Sequence, residues 1–235
     1  MRKFKNIKTF SGWPILLVLF LFSLVVRFWW FPENVYFGYD QARDAIVSQA
    51  IYTKRDLKLI GPSAAGESLF HGPFYWYLIG PIYLLFKGNP SYVLGYISLL
   101  NALGLFLIYL LGRELINEKV GIIASFLYSF SFSLSQYALY FANPSPAILS
   151  IMIFYLGWAF LIFREKQWAW ILIGLGLGFS IQFEFFLIYL VIPTLIIPLV
   201  YWNDVKKRLN LRFFFLGLAF LVITLNTSFA QSSYT

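Results

Sequence analysis

Apolar runs recur along almost the whole chain, at 12–31, 91–112, 120–139, 146–163, 168–181, 185–202 and 213–225, and short charged junctions separate most of them. A helix crossing a bilayer needs about 20 mostly apolar residues, and such a series leaves few folds besides a bundle of membrane helices. The rest of the composition agrees. Of the 235 residues, 60% are hydrophobic and only 12% charged, too little charge to solvate the surface of a soluble domain. With no cysteine and one histidine, a disulfide framework, a thiolate or multi-histidine metal site and a cysteine nucleophile are all excluded.

The positive charge sets an orientation. Basic residues cluster before the first run and at Arg113–Lys119, Arg164–Lys166 and Lys206–Arg212. Threading the chain from a cytoplasmic N-terminus puts all four clusters, and with them two thirds of the 18 Lys and Arg, on the cytoplasmic side. The net charge of +8 is therefore read as membrane topology and not as a nucleic-acid surface. The exit Arg27-Phe28-Trp29-Trp30-Phe31-Pro32 has no cleavage site, so the first run is an uncleaved anchor, with Arg27 either snorkelling to the interface or binding an anionic carrier. The expectation is an all-α, polytopic transmembrane bundle of about seven spans in the plasma membrane. Its segments are a cytoplasmic basic head (1–11), a first span (12–31), a long outer loop with amphipathic juxtamembrane helices (32–90), a bundle of about six spans (91–225) and a polar tail (226–235). The run 74–86, broken by Gly80-Pro81, is too short to cross. With Tyr75, Trp76, Tyr77 and Tyr83 it reads as a helix at the headgroup level. Gly174 and Gly178 read as a close-packing face.

The outer loop holds Glu33, Asp40, Asp44, Asp56, Glu67 and the histidine, His71. Residues 40–53 fit a short helix in which Asp40, Arg43, Asp44, Val47 and Ile51 share a face. Two readings stand for the charged trio: a capped helix with an internal ion pair, or a catalytic carboxylate. His71 is either a structural hydrogen-bonding residue or a donor to a phosphate or sugar oxygen. Glu184 is open in the same way.

Several segments carry a resemblance: Tyr39-Asp40-Gln41-Ala42-Arg43-Asp44-Ala45, Leu59-Ile60-Gly61-Pro62, Leu69-Phe70-His71-Gly72-Pro73, Asn143-Pro144-Ser145 and Gln182-Phe183-Glu184. In this order they resemble the N-terminal half of bacterial polytopic glycosyltransferases of the GT-C type, akin to protein O-mannosyltransferases and aminoarabinose transferases. The resemblance implies an inverting transferase that takes a sugar from a polyprenyl-phosphate donor to a lipid, glycan or protein acceptor on the outer face. Asp40 would be catalytic, with Arg43, Asp44, His71 and Glu184 binding substrate. No cofactor is required by the pattern; a divalent cation held with Asp40 and Asp44 stays open. Gly72 stands where Pro is usual, and Asn143 where some relatives carry an acid. Such relatives are longer, so 226–235 is read as a truncation point. The rival readings are a transporter or flippase for a lipid-linked substrate, and a non-catalytic membrane scaffold.

Overall fold

The computed structural model describes residues 12–65 and 69–229, with side chains except at 65 and 226–229. The basic head 1–11, Glu67 and residues 230–235 lie outside the described residues.

The element order is α1 (Trp13–Phe28), α2 (Tyr39–Thr53), β1 (Ser63–Ala65), β2 (Leu69–Phe70), α3 (Phe74–Leu85), α4 (Pro90–Leu115), α5 (Glu118–Phe130), α6 (Phe132–Leu139), α7 (Ala147–Phe163), α8 (Ala169–Phe183), a 3-10 segment (Phe185–Leu190), α9 (Val191–Val200), α10 (Trp202–Lys207) and α11 (Leu211–Phe229). The fold is helical as expected. Among the described residues, however, only α4, at 26 residues, is long and apolar enough to cross a membrane by itself. Helices α5 and α6 pass that test as a pair but are bent by 56°. The other apolar helices fall short, so helix length alone does not establish seven crossings.

Local chemistry explains these boundaries. Pro90 opens α4, and the Asn89 side chain accepts the Ser91 N–H at 2.9 Å, satisfying one of the amides a helix start leaves unpaired. Asn117 accepts from Val120 at 3.0 Å to start α5. Ser131 breaks the expected third span: its backbone is extended (ψ 113°), and its hydroxyl accepts from Leu134 to cap a new helix, α6. Helix α11 runs to Phe229, past the expected start of the polar tail. The small antiparallel hairpin of β1 and β2, pairing Ser63 with Phe70, departs from an all-α reading.

Helix α8 is the hub of the main core. Gly176 sits against the backbone of Phe154 in α7, whereas Gly174 abuts Gly217 and Gly178 abuts Thr224, both in α11. A Cβ at any of the three would overlap its neighbour, which is the close packing expected of this stripe. Ser180 donates to Ser150 at 2.9 Å in the same α7–α8 seam.

Two expectations are corrected. The aromatics of α3 do not face outward as expected: Tyr75, Trp76 and Tyr83 are buried in the main core with Ile79, packed toward α2, α4 and α8, while Leu84 and Leu85 stay exposed. Nor does Arg27 snorkel. It is fully buried, donating to Asn101 Oδ1 at 2.8 Å and to the Ser23 hydroxyl at 2.6 Å, over the Tyr128 ring. No carboxylate among the described residues pairs with it. At the other end of α4, buried Glu114 accepts from Arg113 at 2.7 Å and from Arg164, tying that end to the junction after α7.

Candidate active site

Helix α2 starts at the glycine before Tyr39. Gly38 has no side chain to cap it, and Gln41 reaches back to accept the Gly38 N–H at 3.1 Å, one half of a capping box. Asp40 falls in the first turn, where the helix dipole favours an anion, and its side chain is 55% exposed. The face expected to carry the charged trio turns inward along the helix. Arg43 is partly exposed, and the Asp44 side chain is only 2% exposed.

Arg43 bridges the two acids. Its Nη1 donates to Asp40 Oδ1 at 2.7 Å, and its Nε and Nη2 donate to Asp44 Oδ1 at 3.0 and 2.9 Å. Asp44 Oδ1 also accepts the Trp76 indole N–H at 2.7 Å, while Asp44 Oδ2 is buried without a partner. Burial pushes the Asp44 carboxyl above the usual carboxylate range, against the opposing pull of the Trp76 hydrogen bond and the Arg43 charge. The hydroxyls of Tyr75 and Tyr83 are likewise buried and unpartnered. Both feel the Asp44 charge, which adds to burial in raising their pKa and keeping them neutral.

Further bonds clamp α2 to α3. Tyr52 donates to the Tyr77 carbonyl at 2.8 Å, and the Tyr77 hydroxyl accepts the Lys58 N–H at 3.0 Å and donates to the Lys58 carbonyl at 2.9 Å. Nothing in the sequence signalled Trp76 as the partner of an acid 32 residues earlier. Its aromatic neighbours made it read as an interfacial residue.

His71 lies on the loop joining β2 to α3. Its N–H and carbonyl bond the backbone of Pro62 and Gly61 at 2.9 and 3.1 Å, and its ring is 8% exposed as part of the residue. Nδ1 accepts the Phe185 N–H at 3.2 Å, so the neutral ring carries its proton on Nε2. Burial, helped by the Arg43 charge, lowers the imidazole pKa to about 4. The next residue explains its own identity. Gly72 donates its N–H to the Gln182 carbonyl at 2.8 Å, and a Cβ there would overlap the Gln182 side-chain amide. Proline could not donate that bond.

The two remaining segments meet the same junction. Asn143 is buried and donates to the Phe183 carbonyl at 2.9 Å. Glu184 ends α8 and caps the 3-10 segment, accepting the Phe186 N–H at 3.3 Å. Half-burial raises its carboxyl above the ordinary range, and the bond from Phe186 lowers it in part. The structure thus joins Asp40, Arg43 and Asp44 directly, and brings His71, Gly72, Asn143 and Glu184 together around the C-terminal end of α8. No hydrogen bond or ion pair among the described residues joins Asp40 to His71 or Glu184.

The chemistry of the trio does not suit a divalent cation. The Arg43 guanidinium already occupies the space between the Asp40 and Asp44 carboxylates, and a metal there would face a fixed positive charge. Among the described residues no group of three or more His, Cys, Asp or Glu is arranged to hold a metal.

A family model described as dolichyl-phosphate-mannose-protein mannosyltransferase matches residues 70–229. The chain belongs to this family. Its membership makes the protein a membrane glycosyltransferase of GT-C type, working with a lipid-linked sugar donor and an acceptor. The match contains His71, Asn143 and Glu184, and it begins after Asp40, Arg43 and Asp44. No curated protein and no solved structure matches the chain.

Proposed function

We propose that this mannosyltransferase-family protein moves a sugar, with inversion, from a polyprenyl-phosphate carrier to an acceptor hydroxyl at the outer face of the plasma membrane. The acceptor is a lipid, glycan or protein. The N-terminus is cytoplasmic and the apolar runs make about seven crossings, a topology supported by the basic junctions that alternate with them. Membrane lipids surround the bundle.

One observation carries the reading: an exposed Asp40 carboxylate whose only ion-pair partner among the described residues is Arg43, which the buried side of the site holds from behind. Asp40 takes the acceptor proton as the acceptor oxygen attacks the anomeric carbon. The new C–O bond forms on the face opposite the leaving group. The bond from the anomeric carbon to the phosphate oxygen breaks, and its electron pair leaves with the phosphate. A phosphate leaves without being protonated, so one carboxylate base suffices. Arg43, and His71 through its Nε2–H, are the donors that meet the charge growing on that phosphate. Glu184, at the same junction as His71, would contact the sugar or acceptor. The exposed position of Asp40, in the first turn of α2, supports a transferase over a transporter, whose ionisable groups gather within the bundle.

The test is incorporation of labelled mannose from polyprenyl-phosphate mannose in membranes bearing the full chain. Asp40→Asn is expected to lower the rate by about a hundredfold or more. Normal transfer by that variant would overturn the reading.

A further inference from the structure

We propose that Asp44 is a positioning residue that acts through one oxygen and not through its charge, and that Trp76 is its anchor. This rests on the reading of Asp40 as the base and extends it to two buried side chains that touch no substrate.

Every donor that reaches Asp44 converges on Oδ1: two N–H groups of Arg43 and the indole N–H of Trp76. Oδ2 receives none, although it is buried. A carboxylate serving as a counter-ion would spread its donors over both oxygens, as a bidentate arginine pair does. Here one oxygen is a fixed post. The Trp76 indole sets the position of that post, because Trp76 is buried in α3 against the main core. The post orients the guanidinium of Arg43, which in turn reaches Asp40 at 2.7 Å. The line Trp76–Asp44–Arg43–Asp40 therefore transmits the placement of α3 to the exposed carboxylate. Displacements of about 1 Å in such an arrangement can cost a hundredfold in rate.

An amide oxygen can accept the same three bonds. Asparagine at 44 would also turn an N–H₂ toward the position now held by the unpartnered Oδ2, in a neighbourhood that contains the Tyr75 and Tyr83 hydroxyls. Asp44→Asn is thus expected to keep the geometry, whereas Asp44→Leu and Trp76→Phe lose it.

The experiment measures transfer from polyprenyl-phosphate mannose by the full chain in membranes. It compares Asp40→Asn, Asp44→Asn, Asp44→Leu and Trp76→Phe, with the kcat and KM of each normalised to folded protein. The expected result is loss in Asp40→Asn, near-parental transfer in Asp44→Asn, and a fall in kcat of about ten- to a hundredfold in Trp76→Phe with little change in donor KM. Loss in Asp44→Asn as deep as in Asp40→Asn would show that the charge matters and overturn the proposal. So would parental kcat in folded Trp76→Phe. Should Asp44→Leu fail to fold, Trp76→Phe decides alone. Normal transfer by Asp40→Asn would sink the reading of Asp40 itself, a different outcome from either of these.

Discussion

His71 takes the backbone N–H of Phe185 on its Nδ1, across 114 residues of sequence. That bond fixes which nitrogen holds the proton, and it fastens the loop before α3 to the C-terminal end of α8. Replacing the ring by pieces of it separates the two roles. Asparagine can imitate the Nδ1 acceptor, and glutamine can imitate the outward Nε2–H. His71→Asn should melt close to the parent in detergent but transfer on the order of a hundredfold more slowly, the cost of one lost donor to a developing anion. His71→Gln should show the opposite bias, with a lower melting temperature and better-preserved transfer.

The same ring makes stability depend on pH. Its folded pKa of about 4 lies below the ordinary 6.5, so the unfolded chain binds the proton more readily. The ring's contribution is complete above pH 6.5 and is lost as pH falls toward 4, by a total on the order of 3 kcal/mol. Melting curves of the parent and His71→Asn should nearly coincide at pH 7, and the parent should fall below the variant as the pH drops toward 4, because only the parent carries the titrating ring.

Asp44 has the opposite sign. Its folded pKa is raised above 3.8, so its ionisation costs stability progressively as pH rises above that value. Asp44→Asn should therefore gain thermal stability over the parent at neutral pH, and the gain should shrink in acid. A variant equally or less stable than the parent at pH 7 would contradict this.

Arg27 and Asn101 form a buried polar pair with no carboxylate in attendance. Removing Asn101 strands a guanidinium in the bundle, so Asn101→Leu should destabilise by about 3–5 kcal/mol. The double variant Arg27→Met with Asn101→Leu removes the charge as well and should recover most of that loss. Thermal melting in detergent reads both. Equal loss in the single and double variants would mean that packing, not the stranded charge, dominates.

A Cβ at Gly72 would meet the amide end of the Gln182 side chain, not backbone. Gly72→Ala should cost little, since the amide end of the Gln182 side chain can move aside, whereas Gly72→Pro should lower stability by about 1–3 kcal/mol, because the bond to the Gln182 carbonyl goes. Protein yield and melting temperature check the order of the two.

What could be read from the sequence was whatever local periodicity decides. The helix expected at 40–53 is α2, the one at 74–86 is α3, and the glycine stripe of α8 packs as its spacing implies. Arg43 between two acids was legible because all three sit within two helical turns. Relationships across the chain were not. Trp76 and Asp44 lie 32 residues apart, and an aromatic cluster on a short helix has the same signature at a membrane surface as in a core. Only the neighbours of α3 decide between them, and those neighbours are set by tertiary packing. Arg27 misled for a related reason: its distance from the end of α1 allows snorkelling, while Ser23 and Asn101 make burial tolerable. The break at Ser131 was hidden because a serine inside an apolar run becomes a cap only when the chain actually turns there.

The glycines of α8 have a mechanical consequence. A rod seated through its bare backbone on partners at two sides cannot spin about its long axis without prising apart both seams. Gln182 and Glu184 ride on the outer tip of that rod, about 15 Å beyond Gly174, and their bearing is set from below. Crowding the stripe would swing the tip, carrying with it the perch on which the imidazole rests, from a distance at which no reacting atom is touched.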